Sequence, residues 1–177
     1  MKKVIILILI INWLISSSFV MKEELDFPAK RVNREIKRFW KDKIVDIKEI
    51  KKGIYLLENE NDTLGFLYVG RVNSCRQGGC SIDGNQEELP FEYFDYFLII
   101  DKDIQLKKVK IFNYQATHGH EVMSSGWLRQ FRGYNGKEEL KYGRDIEAIS
   151  GATISTKTLN DDVKYTLNQL QKILISN

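Results

Sequence analysis

An apolar helical pattern near the C-terminus, entered through a turn of small hydroxylated residues, constrains this chain more than any other stretch. Residues 147–156 read Glu-Ala-Ile-Ser-Gly-Ala-Thr-Ile-Ser-Thr. Four hydroxyls (Ser150, Thr153, Ser155, Thr156) and Gly151 fall within seven residues. Leu159, Val163, Leu167, Leu170 and Leu174 follow at spacings of three and four, which places them on one stripe of an α-helix. Ser155 or Thr156 is the expected N-cap, because a side-chain oxygen there can accept a free N–H of the first turn. Such a turn is also a natural anion site. Unpaired N–H groups point outward, the helix dipole favours negative charge, and Gly151 and Ala152 let a ligand approach the backbone closely. An ordinary capped terminal helix is the other reading of the same residues.

The length, 177 residues, suits one domain plus a leader. With 27 basic and 24 acidic residues the chain is close to balanced, and its basic residues form no long run, so nucleic acid is not an implied partner. Residues 1–20 stand apart. Lys2 and Lys3 open the chain, Val4–Ile15 is apolar except for Asn12, and Ser16-Ser17-Ser18 follows. A secretory signal peptide cut after Ser18 is expected. The alternative is an N-terminal membrane anchor from Val4 to about Val20, short against the roughly 20 residues a spanning helix needs. Either way the rest is expected to be exported, periplasmic or attached to the outer face of the inner membrane.

Beyond the leader, residues 21–64 are expected to hold an N-terminal helix and the first strands. Val32, Ile36, Phe39 and Trp40 have helical spacing, with Asn33 as cap. Ile44–Ile50, Ile54–Leu57 and Gly65–Val72 read as short strands joined by turns at Lys52-Gly53 and Asn59–Thr63. Tyr93–Ile100 is dense in aromatic and branched residues, as a central strand would be, and Leu106–Tyr114 is its hairpin partner. Val122–Phe131 has Trp127, Leu128 and Phe131 at helical spacing. The expected fold class is α+β: an antiparallel sheet with packed helices and a C-terminal helix after the Ser-Gly-Ala-Thr turn.

The two cysteines stand in Cys75-Arg-Gln-Gly-Gly-Cys80. In an exported protein this spacing predicts a local structural disulfide, with a redox-active pair as the alternative. His118 and His120 form a His-x-His element, but two ligands without a third make no metal site. Thr117, His118 and Gly119 read instead as a loop open to ligand or solvent. No nucleophile–base pair is visible, so no catalytic residue is assigned.

Ser150-Gly151-Ala152-Thr153 before a C-terminal helix resembles the flavinylation motif of the FMN-binding domain family. That family includes components of the sodium-pumping NADH:quinone oxidoreductase and of the Rnf electron-transport complex. The resemblance spans residues 65–177 and implies FMN as cofactor. It implies a phosphoester to Thr153 made by a flavin transferase, with Ser150, Gly151 and Ala152 shaping the turn and Thr156 beside the phosphate. It also implies a glycine loop against the flavin ring, here Thr117, His118 and Gly119, followed by a Trp and Phe helix. Glu147 stands where the family pattern has Asp, Asp145 is out of register, and His118 takes a Pro position. An electron carrier is implied rather than an enzyme with its own substrate, working with a redox donor and acceptor that a membrane electron-transport complex could supply. Noncovalent FMN, or an exported binding module that has lost flavin, remain the alternatives.

Overall fold

A computed structural model of the chain describes residues 25–41, 43–60, 62–77 and 89–175. The expected leader and Cys80 lie outside them. Helix α1 (Ala29–Trp40) precedes strands β1 (Asp46–Lys51), β2 (Ile54–Asn59), β3 (Asp62–Arg76), β4 (Phe91–Asp101) and β5 (Leu106–Tyr114). The strands pair in sequence order, each antiparallel to the next, as a five-stranded meander. A short helix α2 (Ser125–Leu128) lies between two 3₁₀ turns, His120–Met123 and Arg129–Phe131, and α3 (Thr153–Ile175) closes the fold. The class is α+β, as expected.

Strand β4 explains the layering. Residues Phe94 and Tyr96 to Ile100 are fully buried, so both of its faces are covered. Alternate residues point to opposite faces. Tyr96, Leu98 and Ile100 join Trp127, Phe131, Leu159, Val163 and Leu167 in one core. Phe97 and Ile99 join Val32, Ile36, Leu67 and Val69 in a second core beneath α1. The sheet is therefore sandwiched, with α1 on one side and α2, α3 and their loops on the other. Across the α1 face, Arg71 (β3) donates to Asp95 (β4) at 2.6 and 3.0 Å, and Asn113 (β5) donates to the same carboxylate at 2.8 Å. These three residues are register neighbours, so one bonded row ties three strands.

Several local expectations are corrected. Helix α1 begins at Ala29 after Pro28, four residues before the expected Asn33 cap, because Pro28 supplies a fixed φ and its carbonyl accepts the N–H groups of Arg31 and Val32. Val122–Phe131 is not one helix. Ser124 is extended and caps α2 by accepting the Trp127 N–H at 3.3 Å, which breaks the run in two. Strand β3 runs past the expected end at Val72 to Arg76 and so includes Cys75, and no cysteine is free among the described residues. Leu174, expected on the buried stripe of α3, is 40% exposed.

One half-buried acid joins α3 to the sheet. Tyr96 and Tyr68 donate to Asp162 Oδ2 at 2.5 and 3.3 Å. Burial, then the charge of Asp162, pushes Tyr68 up to about 12 and Tyr96 well above its ordinary value, so both stay protonated donors. Burial raises Asp162 above 3.8, against the lowering effect of the two hydroxyls. Between 3.8 and that raised value the folded protein keeps a proton that the unfolded chain releases. Stability from this group is complete below the unfolded value and is lost as pH rises through the folded one. Asp162→Asn is expected to flatten that fall in denaturant titrations taken between about pH 3 and about pH 6. An unchanged slope in the variant would contradict the assignment.

Candidate functional site

The two stretches singled out in the sequence, the Thr117–Gly119 loop and the turn into α3, meet in the structure. Gly119 has φ +83°, and a Cβ built on it would lie 3.1 Å from Tyr114 Oη and 3.2 Å from both Ala152 Cβ and Ser155 Oγ. The loop backbone therefore rests directly on the start of α3. Tyr114, the last residue of β5, organises the junction. Its hydroxyl donates to the His118 carbonyl at 2.6 Å and lies 3.4 Å from Ser155 Oγ. Its ring stacks on Phe94 and sits 4.7 Å from the His120 ring, centroid to centroid. Burial raises the Tyr114 hydroxyl above its ordinary value and keeps it a donor. Gly119→Ala would force a left-handed alanine into this contact and is expected to cost about 1–2 kcal/mol. Chemical denaturation would measure the loss, and an unchanged midpoint would refute it.

Thr117 faces the sheet. Its N–H donates to the buried Glu92 carboxylate at 2.9 Å, and its hydroxyl donates to the same group. His118 and His120 are exposed. Among the described residues no group of three or more His, Cys, Asp and Glu side chains is placed to hold a metal.

Helix α3 starts at Thr153, earlier than the expected cap at Ser155 or Thr156. Those two hydroxyls are buried and turned inward. Ser155 Oγ is 2.7 Å from Ser74 Oγ on β3. Thr156 Oγ1 donates back to the Ala152 carbonyl at 2.9 Å and lies 2.8 Å from the Tyr142 hydroxyl. Thr156, expected beside a phosphate, thus serves the core with its side chain. Thr153 is the reverse case: it is exposed, and its hydroxyl has no partner among the described residues. Ser150 and Gly151 are exposed too, and Gly151, at φ +80°, has nothing within 4 Å of where a Cβ would stand. The Ala152 N–H is used by the Ile149 carbonyl and the Thr156 N–H by Ala152. Between them, the N–H groups of Thr153, Ile154 and Ser155 have no acceptor among the described residues.

The approach to this turn is fixed through its backbone. Glu147 accepts from Trp127 Nε1 through its carbonyl at 2.8 Å and donates its N–H to Gln130 Oε1 at 2.9 Å, while its carboxylate is exposed. Asp145 is committed elsewhere. It accepts from Arg144 at 2.9 and 2.8 Å and from the Lys141 N–H at 2.9 Å. The Arg144 bonds, with that backbone bond, hold its carboxyl down at about 2. Tyr114, Ser74, Glu92, Tyr142 and Gln130 all shape the site and were not singled out from sequence. Only Tyr114 carried a signal, as the last alternating residue before the Thr117 loop.

A phosphate fits this helix start. Three unclaimed amides, open space beside Gly151 and a first turn without acidic residues are what an anion requires. The geometry defines an α+β domain with an anion-accepting helix start facing a glycine loop. Residues 94–168, from β4 through both loops into α3, match the model of the FMN-binding domain family. FMN is the cofactor that this family indicates. No curated protein matches the chain.

Proposed function

We propose that this is an exported electron-transfer flavoprotein that carries FMN as a phosphoester on Thr153. The observation that carries the proposal is the free, exposed Thr153 hydroxyl at the first position of α3, beside three N–H groups without acceptors. Attachment by a flavin transferase needs an accessible hydroxyl, and of the motif's hydroxyls Ser155 and Thr156 are buried. The amides of Thr153, Ile154 and Ser155 and the helix dipole would stabilise the phosphate charge. Gly151 leaves room for it, and Ser150 is exposed beside it. Gly119 borders the same helix start and, with His118 before it, would lie against the ring, with Tyr114 holding the loop by its bond to the His118 carbonyl. Bound FMN supplies one- or two-electron transfer, while the protein supplies orientation and a local field. Covalent attachment suits export, since a lost cofactor is not easily replaced outside the cell.

The test is an intact mass, under denaturing and non-reducing conditions, on protein made in an exporting host with a flavin transferase. Thr153 Oγ1 bonds to the flavin phosphorus as the phosphoanhydride bond of a flavin dinucleotide donor breaks, the nucleoside monophosphate leaves and the hydroxyl proton is released, so the expected increment is FMN less one water. The same mass reports cleavage after Ser18 and, by the loss of two hydrogens, a Cys75–Cys80 disulfide. FMN released on denaturation would replace the ester with noncovalent binding by the same amides. Absence of flavin by either route, with the transferase active on a control, would refute the electron-transfer role.

A further inference from the structure

A basic groove runs along the outer edge of the sheet, next to the segment that holds the flavin motif. Strand β5 is the last strand of the sheet, and α2 with the turn after it lies against that edge. Between them is a cavity of about 190 Å³. Lys107, Lys108 and Lys110 line it from β5, and Arg129 and Arg132 from the opposite wall, with no acidic residue in the lining. Lys107 is paired with Asp101 at 2.7 Å. The other four have no ion pair among the described residues, and Arg129 and Arg132 are exposed.

Lysines on an edge strand are a general device against edge-to-edge pairing, and that accounts for Lys108 and Lys110. It does not account for the two arginines brought to the same groove by a different element. Nor does a membrane surface fit best. Of the apolar lining residues Val109 and Leu128 are buried and Met123 alone is exposed, too little apolar surface for insertion. A concave site with unpaired cations on two walls suits carboxylates projecting from another protein.

The groove is wired to the flavin motif. Gln130, between the two arginines, accepts the Glu147 N–H, and Trp127 donates to the Glu147 carbonyl. Glu147 is three residues from Ser150, which is at most about 11 Å of chain. We propose that this groove docks the acidic face of a redox partner protein and sets it beside the flavin. The inference rests on the electron-transfer reading above.

The test uses the full chain loaded with FMN and a reduced, acidic [2Fe–2S] ferredoxin as probe. Each encounter oxidises one cluster and gives the flavin one electron, so two encounters complete its reduction. The second-order rate, followed by flavin absorbance, is expected to fall about tenfold from low to high ionic strength. In Arg129→Glu/Arg132→Glu the low-salt rate is expected to drop about tenfold and its salt dependence to disappear. Lys48→Glu/Lys51→Glu, on β1 at the far end of the sheet, is expected to keep both. Photoreduction by a neutral deazaflavin separates the two ideas. If it fails to reduce the bound flavin, the electron-transfer reading falls and this inference with it. If it succeeds while the arginine variant reacts with ferredoxin as the native protein does, the docking inference alone is overturned. It is equally overturned if that variant loses only co-sedimentation with phosphatidylglycerol vesicles.

Discussion

Thr153→Ala is expected to give a folded protein whose intact mass lacks the flavin increment proposed for the native chain. The loss should be complete, because the ester has no oxygen left to form on. Stability should change by no more than about 0.5 kcal/mol, as at other exposed positions without structural partners. The fold uses the backbone of Thr153, whose carbonyl lies 3.1 Å from Thr156 Oγ1, and leaves the side chain unused. Alanine is also a good helix former. Thr153→Ser keeps a hydroxyl in the same place and is expected to keep the increment. A flavin mass persisting in Thr153→Ala would move the ester to another hydroxyl, and Ser150 is the exposed one in the turn.

Trp127→Ala is expected to have the largest effect on stability, about 3–5 kcal/mol by the usual cost of truncating a buried aromatic. That is a large part of the roughly 5–15 kcal/mol available to a domain. Trp127 is buried, its ring sits 5.4 Å from Phe131 edge-on, and its indole N–H holds the Glu147 carbonyl. Flavin occupancy should fall as well, because the approach to the Ser150–Thr153 turn loses its anchor. Trp127→Phe divides the two contributions. It keeps an aromatic ring in the core but removes the donor, a change of about 1 kcal/mol. Denaturant midpoints for both variants, with flavin occupancy from intact mass, check this. Equal stability of Trp127→Ala and the native protein would contradict the packing described.

The strands were legible because runs of branched and aromatic residues stand between turn residues, and β4 because it is apolar on both faces. The stripe of α3 was legible for the same kind of reason, through Leu159, Val163, Leu167 and Leu170. Where local chemistry competed with distant partners, sequence reasoning failed. Ser155 and Thr156 look like caps, yet their hydroxyls are taken by Ser74, 81 residues away, and Tyr142, 14 residues away. The Val122–Phe131 run has apolar residues at helical spacing, but the Ser124 cap within it divides it, and apolar spacing alone does not report a cap. The turn and the glycine loop were each visible as motifs. That Gly119 rests on Ala152 and Ser155 was not, because the contact depends on how β5 delivers Tyr114 to the head of α3.

The double burial of β4 also bears on where this fold can be divided. The segment that matches the family opens at Phe94, inside that strand, and closes at residue 168, inside α3. It contains the helix that covers one face of β4 but not α1, which covers the other, nor β3, which completes its pairing. Cut out at those limits, the segment would bare Phe97 and Ile99 along an unpaired strand edge, the arrangement that drives strands of different molecules together. The family-matching segment is therefore not a self-sufficient part. It depends on β3 and α1, which keep the strand behind it paired and covered.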